Sequence, residues 1–274
     1  MRHVVTEDAT RMQVGEATPP PHSQPHVVLR GIVKRFGGVE AVRGVDLDVR
    51  EGEVLGLVGD NGAGKSTLIK VLTGVHPADE GTIDLKGRRV VMDHPDTARE
   101  HGIETIYQDL ALVPTFDLPS NFFIGRELTK SYLGGLVNVL DKARMRDIAS
   151  EIVRDQVGLA INNPYAPAAV MSGGQRQAIA IGRALYAKAD LVIMDEPTAA
   201  LGVEEQEKVL NIIRTLKERG VTIIMISHTL EHVFQVADRI AVMHNGNLVA
   251  VKDTEATSRT EIVGLIMGTQ LDQA

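Results

Sequence analysis

The chain has 274 residues, 43% apolar and 24% charged, and its 29 Lys plus Arg against 36 Asp plus Glu give a formal charge of −7, a poor balance for nonspecific nucleic-acid binding. Without cysteine it has no disulfide, thiol nucleophile or Cys-ligated metal, and without tryptophan and with 3% aromatics it has little base-stacking surface. No apolar run approaches the ~18 residues of a membrane span, and no signal-peptide pattern opens the chain, so the chain by itself is expected to be soluble.

Residues 1–25 carry Pro19-Pro20-Pro21 and no apolar periodicity. Such a segment buries too little apolar surface to offset its ordering entropy and reads as a disordered tail. Order is expected from His26. β-Branched residues crowd 27–36 and 39–49 around Gly37-Gly38, which reads as a hairpin. The apolar run 54–58 reads as a strand ending at Gly59. From Lys65 a helix follows, with Leu68, Ile69 and Leu72 on one face and Gly74 as its stop. Residues 82–85 and 89–92 flank Lys86-Gly87 as a second hairpin. Over about 95–170 strand signals thin out after 103–107, and Met145, Ile148, Ile152 and Val153 form a helical stripe, so this stretch reads as a mostly helical insertion. Beyond Met171, helices at 175–187, 203–219 and 230–236 alternate with strands at 191–194, 221–226 and 240–244. Continuously apolar strands separated by helices imply an α/β fold whose parallel sheet is covered on both faces.

Gly59-Asp60-Asn61-Gly62-Ala63-Gly64-Lys65-Ser66 matches G-x-x-x-x-G-K-[ST], and it lies between a strand and a helix. Its glycines let backbone N–H groups wrap phosphates, and the helix start adds positive dipole. Lys65 is expected to reach the outer phosphates and Ser66 to ligate Mg2+; Gly59 through Thr67 form the expected nucleotide loop. A plain glycine-rich turn is a poor account of so complete a match in that setting. Asp195 and Glu196 end the strand at 191–194. Alone, two acids can merely cap a strand; beside a phosphate loop, Asp195 is expected to hold Mg2+ and Glu196 to polarise an attacking water. Ser172-Gly173-Gly174-Gln175 opens a buried helix with Ser172 as N-cap, giving a second anion-binding helix start. Two such sites far apart in one chain can serve one nucleotide if two copies face each other head to tail.

With these motifs, over about 27–250, the chain resembles the ATP-binding subunits of ABC transporters. The resemblance implies a P-loop NTPase (RecA-like) core with an antiparallel β subdomain and an inserted helical subdomain. It also implies one ATPase domain over 26–254 and a helical extension at 255–274. Ser172-Gly173-Gly174-Gln175 matches the family's signature, with Met171 where leucine is usual. Gln108, in Tyr107-Gln108-Asp109, matches the glutamine that contacts Mg2+ and water and couples to the membrane domain. His228, in Ile226-Ser227-His228, matches the switch histidine at the γ-phosphate, and Phe36 stands where the family stacks an aromatic on adenine. Single residues of these types are more often packing or surface residues, and the other eight histidines are read so. One departure matters: Ala199-Ala200-Leu201-Gly202 stands where the family carries Ala-Leu-Asp, and the aspartate that normally meets the facing subunit is Gly202.

Phe36-Gly37-Gly38-Val39-Glu40-Ala41-Val42, Gly59-Asp60-Asn61-Gly62, Ile106-Tyr107-Gln108-Asp109-Leu110 and Ile124-Gly125-Arg126-Glu127-Leu128 look like the ATPases of bacterial simple-sugar importers. That resemblance implies a homodimer with two ATP at its interface and transmembrane permease subunits as partners. It also implies a periplasmic or extracellular sugar-binding protein acting indirectly, and a cytoplasmic position, peripheral on the inner face of the membrane. Residues 108–128, which include Phe116, Phe122 and Phe123, are expected to line the permease groove, with part of this aromatic cluster taken up by a small core under the helical insertion. A soluble ABC-type ATPase acting on ribosomes or DNA is the competing reading. Such chains usually carry two cassettes or long coiled-coil insertions, and this one has neither. A P-loop kinase or GTPase would leave Ser172-Gly173-Gly174-Gln175 unexplained, and the guanine motif Asn-Lys-x-Asp is missing.

Overall fold

The computed structural model describes residues 25–132 and 137–269. The tail expected at 1–25 therefore lies, except for Pro25, outside the described residues, as does 270–274. β1 (Pro25–Phe36) and β2 (Val39–Arg50) form the expected hairpin, with Phe36 opposite Val39. β4 (Glu80–Leu85) and β5 (Arg88–Val90) extend it to a four-stranded antiparallel sheet in the order β2-β1-β4-β5. Alternation buries Val27, Leu29, Val45, Leu47 and Val49 on one face.

The second sheet has six strands. β3 (Val54–Val58), β6 (Ile103–Ile106), β9 (Leu191–Asp195), β10 (Thr222–Ile226), β11 (Arg239–His244) and β12 (Asn247–Asp253) take the order β12-β11-β3-β10-β9-β6. All are parallel neighbours except the antiparallel β11–β12 pair. The central strands β3, β9 and β10 are apolar along almost their whole length because successive residues serve two cores. Leu55, Leu57, Leu191 and Ile193 face α1 (Lys65–Leu72) and the antiparallel sheet. Val54, Val58, Val192 and Met194 face α5 (Gly173–Tyr186) and α6 (Val203–Glu218).

The segment expected as a helical insertion over about 95–170 is more mixed. α2 (Pro95–Glu100) leads into β6, an edge strand of the main sheet that pairs with β9. The insertion therefore begins after Ile106. It holds α3 (Leu118–Phe122), a hairpin of β7 (Thr129–Tyr132) and β8 (Val137–Leu140), and α4 (Lys142–Glu151), which widens into a π-turn over Ile152–Gln156. A strand of four residues reads alike in either place; only its pairing partner assigns it. α7 (Leu230–Val236) precedes β11. The stretch expected as a C-terminal extension holds α8 (Arg259–Ile266), whose Ile262 and Leu265 join the core.

Candidate functional site

Because β3, β6, β9 and β10 run parallel, their carboxyl ends share one edge of the sheet, where open α/β sheets bind ligands. The loop from Gly59 to Gly64 leaves that edge after β3, Tyr107-Gln108 after β6, Asp195-Glu196 at β9, and Ser227-His228 after β10. Leu57 lies opposite Ile226, and Ile226 opposite Asp195. The fold thus gathers residues that are 168 positions apart in sequence, from Asp60 to His228.

The phosphate loop is wedged tightly. A Cβ would lie 2.2 Å from the Met243 carbonyl oxygen at Gly59 and 2.5 Å from that of Ala41 at Gly64, and both residues hold positive φ; only glycine fits. No hydrogen bond within the described residues engages the N–H of Gly62, Gly64, Lys65 or Ser66. Lys65 is 9% exposed, and its Nζ donates to the carbonyls of Gly59 at 2.6 Å and Asp60 at 2.9 Å. Burial pulls its pKa down, opposed by the charges of Glu196, Asp60 and Asp195. Unspent N–H groups at a helix start beside a buried ammonium fit a polyphosphate. Among the described residues no cluster of three or more His, Cys, Asp or Glu could hold a metal alone. The hydroxyl of Ser66 and the carboxylate of Asp195 suit Mg2+, which takes few protein ligands and completes its shell with phosphate oxygens and water. Burial first, then the Glu196 carboxylate, push Asp195 above the usual carboxylate range, with Lys65 pulling back.

Glu196 sits in the left-handed region, with φ 50°. Its N–H donates to the Ile226 carbonyl at 2.9 Å, and its Oε1 accepts the His228 N–H at 3.0 Å and lies 2.8 Å from His228 Nδ1. Backbone strain of this kind persists where the surroundings over-determine it; here strands β9 and β10 hold both sides of the turn. Ala111 and Ala200, at φ 50° and 57°, lie in the two neighbouring loops. Gln108, Asp195, Glu196, Gly173, Gln177 and Leu201 are among the walls of a cleft of about 270 Å3. The P-loop does not line it.

The start of α5 is a reciprocal cap. Ser172 Oγ accepts the Gln175 N–H at 3.3 Å, and Gln175 Oε1 accepts the Ser172 N–H at 3.0 Å. Gln175, expected in the nucleotide-binding set, thus has its side-chain Oε1 engaged at the start of its own helix. The Gly173 N–H donates to Glu205 at 3.0 Å, and the Gly174 N–H has no acceptor among the described residues. Phe36 is 45% exposed at the hairpin tip, with His76 edge-on at 5.2 Å and Lys34 Nζ 5.6 Å from the ring centroid. Of the expected groove, Phe122 and Phe123 are core, Phe122 tilted against Tyr186 and Phe123 edge-on to it, while Phe116 and Ile124 are exposed. Sequence reasoning missed Gln177, buried with Nε2 unpartnered. Its spacing from buried Ile181 and Ala184, four and then three residues, could have flagged a polar side chain in an apolar stripe.

This geometry defines the class: an ATP-binding cassette built on a P-loop NTPase core. The family model described as ABC transporter matches residues 42–199, and the chain belongs to that family. It binds and hydrolyses ATP, and hydrolysis is coupled to transport. A nucleotide-free ATP-binding cassette from an ABC transporter superposes with TM-score 0.73 and 28% identity, covering 89% of this chain and 96% of that one. The ADP conformation of another such cassette gives 0.74 and 26%, covering 92% and 98%. The chain is 42% identical over 234 residues to the xylose/arabinose import ATP-binding protein XylG of Sulfolobus acidocaldarius, covering 85% of this chain and 90% of the relative. It is 41% identical over 246 residues to the fructose import ATP-binding protein FrcA of Rhizobium meliloti, covering 89% and 95%. The ribose import ATP-binding protein RbsA 2 of Rubrobacter xylanophilus is 42% identical over 246 residues, which cover 89% of this chain but 46% of the relative. No helix among the described residues is long and apolar enough to cross a membrane.

Proposed function

We propose that the chain energises an importer for a monosaccharide, as a pair of identical copies docked on transmembrane permease subunits at the inner face of the cell membrane. The observation that carries this is the convergence of the Gly59–Gly64 loop, Gln108, Asp195, Glu196 and His228 on one sheet edge, with Gly173 at the start of α5 on a cleft that the P-loop does not line. The likeness to xylose/arabinose, fructose and ribose import proteins supports a sugar as cargo. A sugar-binding protein outside the membrane would deliver it, and nucleic acid has no part.

In this reading Lys65 gives up its two carbonyl acceptors for the outer phosphates, and the unspent N–H groups of the loop bind the rest. Phe36 stacks on adenine. Ser66, Asp195 and, through its side-chain oxygen, Gln108 hold Mg2+, which neutralises phosphate charge when bound. Glu196 takes the proton of the attacking water, and His228, already hydrogen-bonded to it, keeps the carboxylate aimed. Ser172 and Gly174 of the facing copy close the site. Beside the Gln108 loop lies a groove of about 330 Å3 whose walls include Tyr107, Leu110, Ile124, Arg126, Arg183 and Tyr186. The permease docks there. Purification of the chain from its own cells is the test: a multispanning membrane protein should accompany it, and ATPase activity of that complex should rise with a sugar-loaded binding protein. RNA or ribosomes in place of a membrane protein would favour the soluble ATPase reading instead.

A further inference from the structure

Glu205, in the first turn of α6, has no part in the roles above. Its half-buried carboxylate reaches across to α5. Oε1 accepts the Gly173 N–H at 3.0 Å, and Oε2 reaches the Gly202 N–H at 3.4 Å. Leu201 closes the same seam: a Cβ on Gly173 would lie 2.2 Å from its Cδ2. A carboxylate placed on N–H groups at two helix starts is held by charge-assisted hydrogen bonds and by both dipoles. Gly202 has no side chain with which to cap α6 and offers its N–H alone.

We propose that Glu205 is a positioning residue that locks the start of α5 to the 199–202 turn, so that the surface turned toward a facing copy is one rigid block. The Gly173 N–H is spent on this lock. What remains for a phosphate is the Gly174 N–H and the Ser172 hydroxyl, whose oxygen accepts from Gln175 while its proton stays free to donate. In a chain with Gly202 in place of the usual aspartate, the lock lies inside one subunit rather than across two. The inference rests on the reading that two copies close head to tail over nucleotide.

The test uses the full chain with Glu196→Gln, so that added MgATP is not consumed, and reads two quantities: ATP affinity of the dilute monomer, and the protein concentration at which half is dimeric. Ser172→Arg is the control for the head-to-tail arrangement. Glu205→Gln accepts through one oxygen only and turns an amide N–H toward a backbone N–H. It should raise the half-dimer concentration on the order of tenfold, equivalent to about 1.4 kcal/mol, with monomer ATP affinity unmoved. Should that variant not fold, Glu205→Ala, which leaves no mispaired amide, carries the same comparison. An unmoved half-dimer concentration overturns the proposal. So does a fall in monomer ATP affinity and melting temperature in step with association, which would make Glu205 a support of the fold alone. If Ser172→Arg leaves dimerisation intact, it is the head-to-tail reading that fails, whatever Glu205 does.

Discussion

At Glu196, backbone strain falls on the residue proposed as proton acceptor. Its left-handed φ of 50° turns the side chain back onto His228. Glu196→Gln keeps the shape and removes the proton acceptor, so ATP binding should persist while turnover falls by the ~10²–10⁴ of a lost general base. Steady-state ATPase near the wild-type rate would refute the assignment. Asp195, one residue earlier, carries a cost. Its folded pKa is raised, so its ionised form is disfavoured in the native state. A raised carboxyl pKa contributes stability below the unfolded value, about 3.9, and loses it as pH rises through the folded value. Asp195→Asn should therefore raise the melting temperature of the nucleotide-free protein at neutral pH, with the gain shrinking as pH falls toward 4. Magnesium-dependent hydrolysis should be lost at the same time. Melting curves across pH check the first effect: a lower melting temperature at neutral pH would show that the pull of the Lys65 and Lys70 charges outweighs desolvation.

Between elements, one buried arginine joins the two sheets. Arg239 on β11 donates to Glu53 Oε1 at 3.2 Å and to Asp48 Oδ2, on β2, at 3.0 Å. Glu53 is 1% exposed, and burial raises its pKa against the pull of Arg239. Arg239→Ala strands a buried carboxyl, so denaturant unfolding should report a loss of about 3–5 kcal/mol at neutral pH. A change under about 1 kcal/mol would place the pair among weak surface bridges.

This link was not legible in the sequence, since its three residues lie up to 191 positions apart. What was legible is local. The P-loop, the Ser172 cap and the strands ending at Asp195 and Ile226 each declare themselves within a dozen residues. β12 escaped because an edge strand buries only part of each side chain and shows no clean alternation. Phe116, Phe122 and Phe123 read as divided between groove and core, and sequence does not say which two Tyr186 will cover. Glu205 sits 32 positions from Gly173, and contact alone reveals it.

At the scale of the whole molecule, the proposed function puts two surfaces to work, the sheet edge and the groove beside Gln108. Ile124 is 39% exposed on the groove wall, whereas Phe123, next to it, is fully buried. Ile124→Asp should uncouple transport and leave ATP binding by the isolated subunit intact; Phe123→Asp should unfold the subunit. Transport assays with melting curves separate the two, and undisturbed transport with Ile124→Asp would move the docking surface elsewhere. The two surfaces share α5. It runs unbroken from Gly173 to Tyr186, about 20 Å at 1.5 Å per residue, with Arg183, Ala184 and Tyr186 on the groove. At Gly182 it rests directly on Phe122 and Val153, which leave no room for a Cβ. A hydrogen-bonded rod does not shorten under load. Ala180 and Arg183, on either side of Gly182, both border the groove, so one stiff element joins the proposed docking surface to Gly173 and has no slack within it to absorb a displacement of either end.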